Sequence, residues 1–408
     1  MDRKKAEKRI EAEAPAGGRE ILSRLREAGF CAYFVGGCVR DALLGLSPAD
    51  WDIASSARPE EVRALFPGAR ILPTGLRHGT LTLLSDRPYE ITTFRTEGRY
   101  GDGRRPDRVA FTRSLEEDLS RRDFTVNALA WSPERGIVDL FSGLADLEGR
   151  VLRCVGDPEK RLSEDALRIL RGLRFYSVYR LAPEAATAAA MRALRGRLSV
   201  LSAERKEKEF CLALSGRYAG EAFSAFPDLL TALFPALEGA LPGLSLLDRL
   251  SPEPEERTAF LFFFAGEETL TSSLRETRFP RRFCERALLL RRAAHAAPPR
   301  DRLGMRRFLA GTSPDLAEAA FRIRLAALGD AETRLALELL LLLRSENALP
   351  PRREELAVSG KTLISHGLAR EGPEVGRALS LLYRAVVDGE AENSEKALLS
   401  YYKRRGEP

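Results

Sequence analysis

Two aspartates and a glycine pair that precedes them are the residues of this chain whose types and spacing favour chemistry. Asp50 and Asp52 lie two residues apart in a predicted strand, so both carboxylates point to one face of it. Mg²⁺ binds through one or two carboxylates together with water and substrate phosphates. Gly36 and Gly37 allow the backbone to approach a phosphate closely, and the helix that follows directs N–H groups toward it. The pattern predicts nucleotidyl transfer, with Asp50 and Asp52 as catalytic residues and Mg²⁺ ligands.

The elements that must position these residues follow one another along residues 32–54. An apolar strand leads into the glycine pair, a helix that carries Arg40 follows, and a second strand holds the aspartates. Taken singly, an Asp-x-Asp is most often a solvated strand end, and a Gly-Gly is most often a turn. Their combination in this order makes chance a poor explanation.

The segments GGCVRDALLG and DWDIA resemble the signature of class II nucleotidyltransferases of the polymerase-β superfamily. That group contains the bacterial CCA-adding enzymes of tRNA and their poly(A) polymerase relatives. The resemblance implies a two-metal mechanism in which Gly36, Gly37 and Arg40 cradle the triphosphate. Glu90 stands where relatives carry a third catalytic carboxylate that helps deprotonate the primer 3′-hydroxyl, although a solvent-facing strand residue explains it equally well.

The segment RRDFTVNALAW, residues 121–131, matches a second motif of the same family. By this resemblance Arg122 is a candidate triphosphate ligand. Asp123 and Asn127 are candidates for hydrogen bonds to the ribose hydroxyls, which would separate ribonucleotides from deoxyribonucleotides. Routine capping of a helix N-terminus is the alternative explanation for Asp123.

A third motif lies in the predicted helix after residue 162. Ser163 is a plausible N-cap, and Asp165 suits the helix dipole in the first turn. Asp165, Arg168, Arg171 and Arg174 recur every three residues and should share a face. An ordinary surface helix would show the same pattern, so the motif has weight only beside the aspartate pair.

Asp165 and Arg168 together could select a base. An aspartate only accepts hydrogen bonds and an arginine only donates them. Cytosine and adenine both present an amine donor beside a ring-nitrogen acceptor, whereas guanine and uracil present the reverse. Mispaired buried groups cost roughly 1–3 kcal/mol each, so the pair favours C and A. EDALRILR resembles the family motif assigned to this templating, and the resemblance places Arg171 and Arg174 near the triphosphate or the tRNA end.

Composition limits the classes of protein that this chain can belong to. It has 408 residues, 44% of them apolar, with a formal charge of +6 that suits a polyanionic partner. The five cysteines are scattered and never spaced as CxxC, which favours reduced thiols in a cytoplasmic protein. No signal peptide is visible, and the apolar run 335–344 is too short to span a membrane and is predicted to be a buried helix. No feature indicates an obligate protein partner.

The order of patterns along the chain predicts an α+β fold. Short apolar strands alternate with helices up to residue 150, which indicates a nucleotidyltransferase head built on a mixed sheet. The segment 96–108 is predicted to be a mobile loop. Beyond about residue 150 we expect only helices: a nucleotide-selecting neck at 151–215, a body at 216–330 and a tRNA-binding tail at 331–408. In SAERKEKEF, residues 202–210, Glu204 and Arg205 are expected to brace the neck helix.

The resemblance extends to the C-terminus, where residues 367–399 are similar to the tail of bacterial CCA-adding enzymes. It implies addition of CCA to tRNA from CTP and ATP, with Mg²⁺ as the cofactor. The basic stretches RRFCERALLLRR (281–292) and YYKRR are expected to grip the tRNA acceptor arm and elbow. An A-adding enzyme of a split system, a poly(A) polymerase and an inactive RNA-binding relative are the alternatives.

Overall fold

The computed structural model describes residues 3–97 and 109–405. The chain divides into two compact units, Met1–Glu238 and Gly239–Pro408. The first unit contains every strand of the described residues, and the second is built from helices. The expected α+β class, with an N-terminal mixed sheet followed by helical regions, is confirmed. The proposed boundaries at residues 150, 215 and 330 stay predictions.

Seven strands of the first unit form one mixed sheet in the order β3-β4-β5-β2-β1-β8-β9. Strands β2 and β5 are parallel, and every other neighbouring pair in this sheet is antiparallel. The strands of the described residues are β1 (Ala32–Val35), β2 (Ile53–Ser55), β3 (Arg70–Gly75), β4 (Thr80–Leu84), β5 (Pro88–Thr93), β6 (Arg95–Glu97), β7 (Val109–Phe111), β8 (Leu129–Ser132), β9 (Gly136–Asp139), β10 (Val151–Leu152) and β11 (Ala182–Pro183).

Large apolar side chains fix the middle of this sheet. All four residues of β1 are buried. The Phe34 ring lies edge-on to Trp51, with centroids 4.7 Å apart, and stacks on Trp131 at 6.2 Å. Burying an aromatic side chain is among the largest single contributions to a core. This packing holds β1 and the segment before β2 in place. The C-terminal end of β1 and the start of β2 lie next to the candidate site.

Helices cover the sheet and continue beyond it within the first unit. Helix α3 begins at Gly37, the second glycine of the pair, and α8 packs alongside α10 with both helices running in the same direction. The helices are α1 (Arg3–Glu13), α2 (Ala16–Glu27), α3 (Gly37–Leu44), α4 (Pro59–Leu65), α5 (Leu115–Ser120), α6 (Gly143–Glu148), α7 (Pro158–Glu164), α8 (Leu167–Tyr179), α9 (Ala185–Ala193), α10 (Ala203–Leu214), α11 (Ala219–Ala225) and α12 (Pro227–Leu233).

The second unit is a set of packed helices, and apolar clusters hold groups of them together. One cluster joins α16, α17 and α18 around Phe321 and Leu340, and another joins the last three helices around Leu382 and Leu398. The helices are α13 (Pro254–Leu261), α14 (Glu267–Glu276), α15 (Arg281–His295), α16 (Arg302–Gly311), α17 (Pro314–Leu328), α18 (Ala331–Ser345), α19 (Gly360–Ser365), α20 (Pro373–Asp388) and α21 (Glu395–Arg405).

Two expectations about the region after residue 150 were wrong. It is not purely helical, because β10 and β11 form a short parallel pair. Two-residue strands are too short to leave an alternating pattern in a sequence. The apolar run 335–344 is helical but not fully buried, since Leu341 is 48% exposed while Leu340 is buried. Consecutive leucines cannot all face one side of a helix.

The remaining expectations concern the strands of the head, the loop at 96–108, the cysteines and the absence of a membrane span. The predicted strands at 71–75, 79–85, 89–95 and 109–112 correspond to β3, β4, β5 and β7. Most of the predicted mobile loop, residues 98–108, lies outside the described residues. All five cysteines are free thiols. None of the helices within residues 3–97 or 109–405 has the length and hydropathy that a transmembrane span requires.

Candidate active site

Three carboxylates share one face at the centre of the sheet, and we call them the carboxylate face: Asp50, Asp52 and Glu90. Strands β2 and β5 run parallel with Ile53 opposite Ile91, so the residues just before each, Asp52 and Glu90, are neighbours across the sheet. Trp51 and Ile53 are buried, whereas Asp50, Asp52 and Glu90 are exposed. Side chains alternate between the faces of extended chain, so all three carboxylates lie on the open side.

The aspartates are placed slightly differently from the prediction. They precede β2, which begins at Ile53, and therefore do not lie within a strand. Their segment is nevertheless held against the end of β1, because the Val35 N–H donates to the Asp52 carbonyl at 3.0 Å. The predicted common face of the two carboxylates follows from this extended backbone, although β2 begins one residue after Asp52 and three residues after Asp50.

The electrostatics of the carboxylate face favour a bound cation. The pKa of Asp52 is raised to about 6, first because the surrounding protein limits its hydration and then because Glu90 and Asp50 repel its charge. Arg122 opposes this shift only in part. Within the part of the chain that the structure describes, no three His, Cys, Asp or Glu side chains converge closely enough to form a complete metal site. A pair of carboxylates open to phosphates and water still fits Mg²⁺, which rarely uses an all-protein cage.

The glycine pair lies beside this face and contacts an arginine. Gly36 has φ 74° and ψ −120°, which side chains other than hydrogen rarely tolerate. A Cβ atom on Gly36 would lie 2.8 Å from Nη1 of Arg122. The Gly36 N–H already donates to the Leu129 carbonyl at 3.0 Å, and helix α3 begins at Gly37. Gly36 therefore makes room for Arg122.

Asp118 holds Arg122 in place and was not anticipated from the sequence. It is 1% exposed, and its carboxylate accepts from Nη2 of Arg122 at 3.2 Å and from Nε of Arg121 at 3.0 Å. Burial alone would raise its pKa, but the two arginines outweigh burial and hold the pKa below its ordinary value. The spacing of Asp118 to the two arginines, three and four residues along one turn, is the signal that could have revealed it.

Asp123 and Asn127 are buried and bonded to each other. Asp123 is 8% exposed, accepts from Nδ2 of Asn127 at 2.9 Å and from Nε of Arg171 at 2.7 Å. Burial raises the pKa of Asp123, but the Arg171 guanidinium and these hydrogen bonds outweigh it and lower the pKa well below its usual range. Asp123 is thus an ionised carboxylate that joins the head to helix α8. Its predicted contact with a ribose hydroxyl stays a prediction.

The expected cap of the neck helix was wrong. Ser163 lies inside α7, and Asp165 sits in extended conformation between α7 and α8. The Asp165 carboxylate caps the start of α8 by accepting from the Leu167 N–H at 3.0 Å. The sequence was interpreted as one helix, but it makes two, because Asp165 competes for the backbone N–H groups that a continuous helix would use. Asp165 therefore stands beside the helical row of arginines, not in it.

Asp165 and Arg168 each have a protein partner at this point. The second Asp165 oxygen accepts from Nη2 of Arg205 at 2.8 Å, as expected for a bracing residue on α10. Arg168 is 9% exposed and donates to Glu164 at 2.6 Å and to the Arg161 carbonyl at 2.8 Å. The two members of the predicted template, Asp165 and Arg168, are three residues apart on the chain, and each is held by a different protein partner. We call Asp165, Arg168, Glu164 and Arg205 the selection cluster.

The remaining arginines of the motif lie along α8. Arg171 binds Asp123, and Arg174 pairs with Glu209 of α10 at 3.0 Å. Burial lowers the pKa of Arg174, and Glu209 compensates only in part, whereas Asp123 and Glu209 outweigh burial and raise the pKa of Arg171. Arg40 of α3 is buried and faces α8. The arginines expected at a triphosphate are thus ion-paired inside the protein.

Two family models match this chain. Residues 32–153 match the head domain of poly(A) polymerase, and residues 332–402 match the putative domain 2 of tRNA nucleotidyltransferase. The first match covers the sheet, the glycine pair and the carboxylate face. Fold and site together define the protein as a nucleotidyltransferase.

Similar proteins with a stated activity cover nearly the whole chain. The CCA-adding enzyme of Lactobacillus delbrueckii is 38% identical over 93% of this chain and 96% of its own, and that of Streptococcus pneumoniae is 38% identical over 94% and 96%. The crystal structure of the Bacillus stearothermophilus CCA-adding enzyme in complex with CTP superposes with a TM-score of 0.77 at 34% identity, covering 95% of this chain and 96% of that one. The chain belongs to the family of CCA-adding enzymes.

Proposed function

We propose that this protein is a tRNA nucleotidyltransferase that adds C, C and A to the 3′ end of tRNA from CTP and ATP. Similarity over more than nine-tenths of the chain to enzymes of that name supports the substrate and the product. The single structural observation that carries the chemistry is the register of β2 and β5, because it brings Glu90 beside the aspartate pair. We further propose that the protein works in the cytoplasm on precursor or damaged tRNA.

Asp50 and Asp52 are the proposed holders of the divalent cations that nucleotidyltransferases generally use, and we propose Mg²⁺. Bound there, such ions lower the pKa of an attacking hydroxyl and neutralise charge on the α-phosphate and the leaving pyrophosphate. The raised pKa of Asp52, caused by restricted hydration and neighbouring carboxylates, is relieved when positive charge is present. The donor set of carboxylates open to substrate phosphates suits Mg²⁺ better than softer metals.

The side chains around the face then act on the nucleotide and the primer. The 3′-oxygen of the tRNA forms a bond to the α-phosphorus, the bond from that phosphorus to the β-phosphate oxygen breaks, and pyrophosphate leaves. Glu90 is the proposed acceptor of the proton from the 3′-hydroxyl. The start of α3 at Gly37 and the Arg122 guanidinium, which lies against Gly36, bind the triphosphate from the other side.

The selection cluster is the proposed template for the incoming base. Each oxygen of the Asp165 carboxylate accepts one of the hydrogen bonds described above, and a carboxylate oxygen can accept more than one. The amine of cytosine or adenine can therefore bind Asp165 without displacing Arg205. Arg168 is held more tightly, so we expect it to turn part of its guanidinium from Glu164 toward the ring nitrogen.

Incubation with tRNA that lacks its CCA end, Mg²⁺ and each labelled nucleoside triphosphate tests this function. We expect CTP to be incorporated twice and ATP once afterwards, with no use of GTP or UTP. Incorporation of ATP alone on an unprimed end would indicate a poly(A) polymerase. Incorporation of ATP only onto tRNA that already ends in CC would indicate an A-adding enzyme, and no incorporation would contradict the proposal.

Recognition of tRNA is proposed to involve the basic helices of the second unit, with one exception. On α15, Arg281, Arg282, Arg286 and Arg292 are exposed. Arg291 is buried and donates to the carbonyls of Phe262 and Ala265. Arg291 therefore stabilises the fold. Arg281 and Arg292 are paired with Glu285 and Glu267, so Arg282 and Arg286 are the arginines of α15 that we propose to contact phosphates, which makes affinity for tRNA fall with salt.

A further inference from the structure

Arg161 of helix α7 lies against the selection cluster, although none of the sequence motifs assigns it a role. Its side chain is 13% exposed. Its Nη1 donates to the Glu164 carboxylate at 2.8 Å, and Nη1 of Arg168 donates to the same carboxylate oxygen at 2.6 Å. A carboxylate oxygen can accept from two donors. Arg161 and Arg168 therefore share Glu164 before any nucleotide is bound.

The same two arginines also share a backbone acceptor at the end of helix α5. The Arg121 carbonyl accepts from Nη1 of Arg161 at 3.1 Å and from Nη2 of Arg168 at 3.2 Å. Nη2 of Arg161 donates in addition to the Ser120 carbonyl at 2.6 Å. Carbonyls at a helix C-terminus lack partners within the helix, and positive charge is favoured there. The two arginines thus hold the backbone segment from which the Arg122 side chain extends.

Arg161 has a further anchor that does not involve Arg168. Its Nε donates to the Val155 carbonyl at 3.1 Å, in the segment that leads into α7. A guanidinium carries its donors in a planar fork, so the bonds to Val155 and Ser120 fix its orientation. Arg161 can therefore stay at Glu164 when Arg168 moves away.

We propose that Arg161 is a positioning residue for base selection, which keeps the acceptors of Arg168 paired when Arg168 turns toward the incoming base. The proposal rests on the proposed function, in which Arg168 turns from Glu164 toward the ring nitrogen of cytosine or adenine. The Glu164 side chain is 18% exposed, and a carboxylate left unpaired in such a position costs free energy. Arg161 lowers this cost, because its guanidinium already contacts the oxygen that Arg168 leaves.

Loss of Arg161 should therefore affect some triphosphates more than others. Without Arg161, a turn of Arg168 would leave Glu164 without either of the arginine contacts described above. CTP and ATP, which need Arg168, would then be used less well. UTP does not match the Asp165–Arg168 pair, so its use should change much less. The charge of Arg161 at Glu164 contributes to selection, whereas its bonds to backbone carbonyls contribute to stability.

Arg161→Gln and Arg161→Lys separate these two contributions. Glutamine removes the charge at Glu164, whereas lysine keeps the charge and loses the planar fork. The measurements are kcat and KM for CTP and for UTP on tRNA lacking CCA, together with Tm. We expect the ratio of kcat/KM for CTP to that for UTP to fall about tenfold in Arg161→Gln and to stay within about threefold in Arg161→Lys. Tm should fall in both variants.

Two controls match the changes in charge and in stability. Lys160→Gln removes a positive charge from an exposed position of the same helix and should change neither the CTP/UTP ratio nor Tm. Arg291→Gln removes a buried arginine that donates to the carbonyls of Phe262 and Ala265, so it should lower Tm and leave the ratio unchanged. If Arg161→Gln does not fold, Arg161→Met keeps an apolar stem without the charge, and the same fall in the ratio is expected.

The other outcomes contradict the proposal. An unchanged CTP/UTP ratio in Arg161→Gln, or equal falls in Arg161→Gln and Arg161→Lys, would make Arg161 a purely structural residue. A rise in KM for CTP and UTP alike, with the ratio intact, would make it a triphosphate ligand. An equal fall in Arg291→Gln would assign the effect to lost stability. Failure of the unaltered protein to incorporate CTP, or its equal use of UTP, would refute the proposed function itself, independently of these variants.

Discussion

Asp52 and Asp123 are both carboxylates of the proposed nucleotide site, but their surroundings move their pKa values in opposite directions. Asp52 has restricted hydration and two carboxylate neighbours, so its pKa is raised to about 6. Asp123 is buried more deeply, yet Arg171 and two hydrogen bonds lower its pKa. The negative charges of the carboxylate face repel one another and raise the pKa of Asp52. The negative charge of Asp123 is instead balanced by Arg171 within the protein. Unsatisfied charge suits a site that binds cations, and paired charge suits one that must hold its shape.

The same contrast separates the carboxylate face from the selection cluster. Asp165 is paired with Arg205, and Arg168 with Glu164, before any nucleotide arrives. Substitutions in the carboxylate face should therefore cost activity and little stability. Substitutions in the selection cluster should alter the choice of base. They would change the positions of the Asp165 carboxylate and the Arg168 guanidinium, which are already bonded to protein partners.

Asp52→Asn should have the largest effect of the changes considered. We expect kcat for CTP and ATP incorporation to fall by about 10³-fold or more, because the amide cannot hold a divalent cation at the α-phosphate. The same variant should be at least as stable as the unaltered protein when metal is chelated, since it removes repulsion from Glu90 and Asp50. Single-turnover incorporation and thermal unfolding measure the two effects.

Glu60→Gln is a suitable control, because Glu60 is an exposed first-turn residue of α4. It should leave both activity and unfolding unchanged. Normal turnover in Asp52→Asn would remove Asp52 from the metal site.

Asp165→Ala should relax the choice of base by about ten- to a hundredfold, the penalty that one mispaired buried group imposes. Discrimination of CTP against UTP and GTP should fall, while the dependence of the rate on Mg²⁺ concentration is unchanged. Competition between labelled triphosphates on tRNA lacking CCA measures this. Glu159→Ala changes an exposed carboxylate of the neighbouring helix α7 and should keep discrimination intact. Intact discrimination in Asp165→Ala would refute the template.

Gly36→Ala should lower kcat/KM by about tenfold, because the new methyl group meets Arg122 at 2.8 Å and displaces it. Gly372→Ala separates this contact from backbone strain. Gly372 also precedes a helix, has φ 115° and ψ −149°, and has open space around it. Both variants should lose stability, by about 1–2 kcal/mol, but only Gly36→Ala should lose activity per folded molecule. Equal activities would show that Arg122 does not depend on this glycine.

The smallest expected effect is on the pH dependence of unfolding. Asp52 has a folded-state pKa of about 6, above its ordinary value of 3.8, so the folded protein binds more protons than the unfolded chain between these values. Its contribution to stability is therefore present below about pH 4 and is lost as pH rises through 6. Because Asp52 is open to solvent, we expect only about 1 kcal/mol.

Urea unfolding of chelated protein from pH 4 to 7 checks this sign. The fall in unfolding free energy with rising pH should be shallower in Asp52→Asn than in the unaltered protein. Identical slopes would mean that Asp52 is not perturbed.

The sequence was sufficient to predict features that depend on residues close to one another along the chain. The common face of Asp50 and Asp52 follows from the alternation of extended backbone, and the place of Gly36 at a helix start follows from residue type. The mixed sheet and the helical remainder were also predictable, since apolar periodicity changes near residue 150. The membership of Arg205 in the bracing set came from its motif, and its bond to Asp165 agrees with that expectation.

Tertiary structure decided what lies between distant segments. The neighbouring positions of Asp52 and Glu90 depend on the register of two parallel strands, which no local pattern encodes. The ion pair of Asp123 with Arg171, and the contacts of Arg40 with Tyr179 and Phe175, join residues separated by 48 positions or more. Local propensity determines which groups are available, but packing of separate elements determines which charges meet. The sequence alone therefore predicted a nucleotidyl-transfer site, and the fold showed which of its charged side chains are paired within the protein.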